Sequence, residues 1–264
     1  MTSRFAVIEL VLRQGSLAAD VGTANAAGVK GIGIDAGGVD KLGVDEARRI
    51  LDGEGIAVSS YVGLEPILRG DGMAPLDETE RRLEIAAALG APGAVLVTGA
   101  LGTRVPSEAE KLCREWLVSA GPLATSCGVR IMLEPIHPIM RRLSCVHTLA
   151  HALALVDGVD GAGVVLDVGH VWWEPGVDDL IREHMADIVS VQLTNVDSVA
   201  LDELRYERSQ LDSGQVPVAA FIELLEKSGY RGWYENEVLV RAPRDERLDL
   251  LRRSREWFDA LGVR

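Results

Sequence analysis

A closed barrel of eight parallel strands, each followed by a helix, is the fold this sequence predicts. Three observations lead there. Short β-rich runs alternate with longer helical patterns along the whole chain, giving eight βα units. Runs such as Ala94-Val95-Leu96-Val97 are apolar without alternation, as in parallel strands covered on both faces. No Pro/Ser-rich linker interrupts the series, and 264 residues is a common size for one (β/α)8 barrel, so residues 1–264 are expected to form a single domain.

In chain order, strands are expected at 4–10, 29–35, 56–61, 93–98, 129–134, 162–167, 187–193 and 232–238. The second, third and fifth begin just after Gly28, Gly55 and Gly128, where a preceding helix can end on glycine. Helical patterns between and after them include 76–89, 106–120, 145–157, 177–184, 217–228 and one near 245–261. Gly31, Gly33, Gly37 and Gly38 superficially suggest a dinucleotide loop, but GIGIDAGG fits GxGxxG poorly, and turns or close packing explain them better.

Composition narrows the function. Hydrophobic residues make up 47% and charged residues 25% of the chain, ordinary for a protein with a substantial core. A formal net charge of −13 argues against a phosphate-tracking nucleic-acid face and against anionic membranes. The start, MTSRFAVIEL, is broken by Glu9 and does not read as a signal peptide, and no apolar stretch reaches membrane-spanning length. Cys113, Cys127 and Cys145 are scattered and form no CxxC, so they are expected to be reduced packing residues in a cytoplasmic protein.

One pattern occurs twice: an aliphatic run, a carboxylate, two residues and a histidine. It ends the fifth strand as Leu133-Glu134-Pro135-Ile136-His137 and the sixth as Leu166-Asp167-Val168-Gly169-His170. Pro135 and Gly169 disfavour an unbroken strand, which places each histidine on the loop just beyond it. Barrel chemistry sits at those strand ends. The seventh strand adds Gln192, a polar residue in an apolar run. The eighth adds Glu235 and Glu237 on one face, Glu237 being the better placed. Three carboxylates in one buried mouth repel one another unless a cation intervenes. A donor set of Glu134, Asp167, Gln192 and Glu237, all oxygen and without histidine, leans toward Mn²⁺ or Mg²⁺, with Co²⁺ and Zn²⁺ as alternatives. His147 and His151, four apart on the helix expected at 145–157, are read as solvated residues outside the barrel.

The segments LEPIHP, VVLDVGHVWWEP, VQLTNVD, RSQLDSGQV and GYRGWYENEV occur in this order in the chain. Together they resemble the sugar-phosphate isomerase/epimerase superfamily, the xylose-isomerase-like TIM barrels, which include ketose 3-epimerases, hydroxypyruvate isomerases and inosose-processing enzymes. The resemblance is close in the C-terminal half and only a βα rhythm before it. It implies a divalent metal on Glu134, Asp167, Gln192 and Glu237, with Gln192 like the glutamine of hydroxypyruvate isomerases. It also implies substrate contacts from His170 and Arg208, with Arg205 a rival for the arginine role. Met140 stands near the position of the epimerases' substrate-binding Glu, and His137 could serve instead. Of Trp172 and Trp173, one is expected to wall the pocket, with Trp172 taken as the contact, or the pair packs a loop onto the barrel.

The implied chemistry is proton abstraction next to a metal-bound carbonyl through an enediolate, with Glu134 and Glu237 flanking the substrate as catalytic acids and bases. A small polyhydroxy ketone, sugar or cyclitol, would be isomerised or epimerised. A hydroxyl β to the abstracted proton would make the enzyme a dehydratase of a keto-polyol such as an inosose, and a non-catalytic ligand-binding barrel is the further alternative. Relatives often pair through the barrel mouth, so a homo-oligomer is an expectation. A multi-zinc DNA-repair nuclease on the same barrel is disfavoured by five histidines and the negative charge.

Overall fold

A computed structural model describes residues 3–240 and 242–263. Eight parallel strands, β1 (Phe5–Ile8), β2 (Gly31–Asp35), β3 (Ala57–Val62), β4 (Gly93–Leu96), β5 (Arg130–Leu133), β6 (Ala162–Asp167), β7 (Ile188–Leu193) and β8 (Tyr234–Asn236), close into a barrel in sequential order. The main outer helices are α1 (Leu17–Ala26), α2 (Val44–Glu54), α3 (Leu76–Ala88), α4 (Pro106–Cys127), α5 (Leu149–Val156), α6 (Val177–Glu183), α7 (Val218–Lys227) and α8 (Arg247–Ala260). The predicted fold class is the observed one. Among the described residues, no helix is long and apolar enough to cross a membrane.

Two helices differ from expectation. α4 runs seven residues past its expected end, through Pro122, because Ala120 and Ala124 stay buried on the same face and Gly128, at φ 71°, supplies the left-handed cap. A proline removes one helical hydrogen bond without ending a helix that packing holds. α5 starts at Leu149 rather than 145: the Thr148 side chain accepts from the His151 amide, and both carboxylate oxygens of Glu174 accept from Leu149 and Ala150 N–H. His147 therefore lies before the helix.

Strand alternation decides what fills the bore. Val95, Met132 and Val165 form an apolar cluster separate from the main core between strands and helices. Two residues onward on the same faces stand Glu134 and Asp167, now at the mouth. Glu235, in register with Gln192, is fully buried and accepts from the hydroxyls of Ser59 on β3 (2.6 Å) and Ser190 on β7 (3.0 Å). Gly33 makes room for this cluster: a Cβ there would come 2.7 Å from Ser60 Oγ and 2.9 Å from Glu235 Oε1. The glycine-rich stretch around β2 thus serves close packing, as its sequence suggested.

Candidate functional site

The two acid–x–x–histidine copies fold differently, and the intervening residues explain why. Asp167 ends β6 and caps a single helical turn, Val168–Val171, its Oδ1 accepting from Gly169 N–H at 2.8 Å. One helical turn brings residue i+3 back over residue i, so His170 Nε2 lies 3.5 Å from Asp167 Oδ2 and 3.8 Å from Glu134 Oε1. A side chain at Gly169 could not be accommodated, since its Cβ would sit 1.9 Å from Thr194 Cγ2 at the end of β7. In the other copy Pro135 holds the chain extended beyond Glu134. His137 instead precedes a 3₁₀ turn, Pro138–Met140, and its Nδ1 accepts from Ile139 N–H. Its ring packs against Tyr206 (5.3 Å) and Trp173 (5.8 Å).

The four expected donors stand side by side. Asp167 pairs in register with Gln192, and the Glu237 amide, just beyond β8, bonds the Leu193 carbonyl at the end of β7. Glu134, just beyond β5, donates its amide to Leu96 on β4. Glu134, Asp167 and His170 are buried, and their ligating atoms lie within 4.8 Å of one another. The sequence reading left histidine out of the donor set, whereas the folded turn brings His170 into it. Glu235, the fallback for Glu237, faces the serines deeper in the bore.

Three buried acceptors at this mouth have no hydrogen-bond partner among the described residues: Asp167 Oδ2, Gln192 Oε1 and Glu237 Oε2. Buried acceptors without donors are rare and costly. A divalent cation is the ligand such a set of oxygens, with an adjacent imidazole, fits. Burial, then the charges of Glu237 and Asp167, raises the proton affinity of Glu134 well above the carboxylate range. Burial and the facing Glu237 do the same to Asp167, against Arg208 and the Gly169 amide. Burial, with Arg208 and His137 nearby, pushes His170 far down, so its imidazole is neutral.

Arg208 lies over the acids. Its Nη1 donates to the Glu237 carbonyl at 2.7 Å and pairs with Glu237 Oε1 at 2.9 Å, while Nη2 lies 3.6 Å from Asp167 and 3.4 Å from His170 Nε2. Arg205 is exposed and engaged with Glu203 and Glu207, away from the mouth. Arg208 is delivered by a small hairpin in which Arg208–Ser209 pairs antiparallel with Asn195–Val196. Tyr206, which the sequence reading missed, is the roof: its ring lies 5.0 Å from His170, and its hydroxyl donates to the Gly169 carbonyl at 2.8 Å. The available signal was a lone aromatic in the stretch 198–210, two residues before Arg208. Of the tryptophan pair, Trp173 faces His137 and donates to the His170 carbonyl, whereas Trp172 packs against the core.

The model for xylose isomerase-like TIM barrels matches residues 21–261. Among solved structures, a protein from Sinorhizobium meliloti 1021 superposes with a TM-score of 0.87 at 25% identity, covering 97% of this chain and 98% of that one. The IolI protein with a bound zinc atom gives a TM-score of 0.81 at 18% identity, covering 96% and 97%. The 3-keto-D-glucoside 4-epimerase from E. coli also gives 0.81 at 18%, covering 98% and 99%. At that identity the last two likenesses concern the fold. No curated protein matches the chain.

Proposed function

Because the chain belongs to the family of xylose isomerase-like TIM barrels, we propose that it is a divalent-metal-dependent isomerase or epimerase of a small polyhydroxy ketone, sugar or cyclitol. The observation that carries this reading is the row of unpartnered acceptors on Asp167, Gln192 and Glu237, next to buried Glu134 and neutral His170. Those four oxygen-bearing side chains, with His170 in reach, would hold the cation. When bound, it supplies Lewis acidity that acidifies the C–H beside a substrate carbonyl.

The chain's own groups account for the rest. Glu134 takes a proton from the substrate carbon, and Glu237, three strands further round the mouth, returns one. Return to the same carbon from the other face is epimerisation, and return to the neighbouring carbon is isomerisation. His170 orients a substrate oxygen without carrying charge. Arg208 holds a terminal oxygen, and Tyr206 and Trp173 keep water from the reacting carbon. The E. coli neighbour named as a keto-glucoside epimerase is in keeping with a keto-polyol substrate.

Deuterium uptake from D₂O into candidate ketoses and inososes tests the proposal. Exchange is expected, with a loss of roughly 10²-fold or more in Glu134→Gln. Exchange accompanied by loss of water moves the assignment to a dehydratase. Exchange that survives both Glu134→Gln and removal of divalent cations defeats the proposal.

A further inference from the structure

Away from the barrel mouth, a cavity of about 660 Å³ opens between the start of α4, the loop after β5 and α5. It contains two cysteines and two histidines that the sequence suggested were inert. Cys113, from α4, is completely buried, and Cys145, from the β5–α5 loop, is partly exposed on the wall. His147, which lies before α5, has its Nδ1 2.8 Å from the Ile136 carbonyl, and His151 has a buried Nε2 with no hydrogen-bond partner among the described residues.

The two cysteines are neighbours: both line this one cavity, and each is the first cause of the other's shifted proton affinity. Thr98 anchors the same point, its Oγ1 lying 3.4 Å from Cys145 Sγ and accepting from the Cys145 amide at 2.9 Å. We propose that Cys145 and Cys113 form a peroxide-reactive thiol pair, Cys145 attacking and Cys113 resolving, with a small hydroperoxide as the co-substrate.

Exposure assigns the roles, because Cys145 is partly exposed and Cys113 is fully buried. The electrostatics agree. The Cys113 and Thr98 hydrogen bonds, with help from His147, bring Cys145 down to about 6 against its burial, and the same contact pushes Cys113 above the thiol range. The other charged or titratable groups lining the cavity are Glu110 from α4, Arg141 and Arg142 from the loop, and His151 from α5. A thiolate in an accessible, electropositive setting is the reactive form of cysteine.

In the first step Cys145 sulfur attacks the peroxide oxygen and the O–O bond breaks. The departing oxygen takes a proton and leaves as alcohol or water, and Cys145 becomes a sulfenic acid. Cys113 sulfur then attacks Cys145 sulfur. The S–S bond forms, the S–OH bond breaks, and the hydroxide takes the Cys113 proton to leave as water. Two thiols and one hydroperoxide give one disulfide, one alcohol or water, and one water. An external dithiol reverses the change. The bond would fasten the loop carrying His137 to α4.

Treating the whole protein with equimolar hydrogen peroxide near neutral pH, then alkylating, digesting and weighing the peptides, is the test. The proposal expects a Cys113–Cys145 linked peptide within one chain, two hydrogens lighter and restored by dithiothreitol. Cys113→Ser should leave a dimedone-reactive sulfenic acid at Cys145. Cys145→Ser should slow peroxide consumption by roughly tenfold or more. Alkylation of Cys145 should change little between about pH 7 and about pH 8.5, whereas an ordinary thiol with a pKa near 8.5 gains more than about tenfold. Recovery of both cysteines as free thiols, or linkage only between chains, overturns the proposal, and that reading needs no variant to fold.

Discussion

At the scale of single residues, acids at the ends of apolar strands were legible in the sequence and their surroundings were not. Glu134 and Asp167 stand out because an ionisable residue closing an aliphatic run has few bland explanations at a barrel mouth. Which of two adjacent tryptophans faces the site, and whether a histidine joins the acids, depends on a few backbone angles set by Pro135 and by the Gly169 turn. Glu9 is a further acid of this kind, just after β1. It is 7% exposed, and its Oε2 accepts from the Asp35 amide at 2.8 Å. Burial, aided by Asp20 and Asp35 against that hydrogen bond, raises it from 4.5 to about 7. The folded chain therefore holds this proton over a range where the unfolded chain has released it, so its contribution to stability falls as pH rises from about 4.5 to about 7 and is level above. Glu9→Gln should unfold at higher urea than the parent near pH 8, by on the order of 3 kcal/mol at most, with the gap closing toward pH 4.5. An equal gap at both pH values would refute the assignment.

At the scale of elements, all eight strands were readable, because unbroken β-branched and aliphatic runs after glycine turns leave little choice. Helix ends were less readable, because distant side chains set them. The start of α5 is fixed by Glu174, 25 residues further along the chain, whose oxygens lie 2.5 Å from the Leu149 nitrogen and 3.0 Å from the Ala150 nitrogen. Glu174→Ala leaves two helix-terminal donors unmet and should lower stability by about 1–2 kcal/mol in urea titration. Glu174→Gln, which keeps one acceptor, should lose less. A neutral Glu174→Ala would mean that Thr148 alone caps the helix. The roof hairpin was also hidden from the sequence, because its strands are two residues long and pair across the 197–207 excursion.

At the scale of the whole molecule, the alternation of strand and helix carried the fold, and the site was legible at the strand ends and, through the resemblance, at His170 and Arg208. Tyr206 was not legible, because its place follows from contacts between segments far apart in sequence, its hydroxyl reaching the Gly169 carbonyl. A ligand that binds only the folded chain stabilises it by mass action, by about 2.7 kcal/mol at a hundredfold excess over Kd, and so raises its unfolding temperature. Manganese or magnesium should therefore raise the melting temperature of a chelator-treated sample, and Asp167→Asn should remove the rise. No shift with manganese, magnesium, cobalt or zinc would count against a metal site. Beneath that site, Glu235 joins Ser190 on the neighbouring strand to Ser59 three strands away. Mechanically it is a spoke across a wheel: one wall cannot move outward without pulling on the other. The bore is thus held to a fixed gauge, and a bulkier substrate would have to be admitted by reshaping the rim at 197–209, not by widening the barrel.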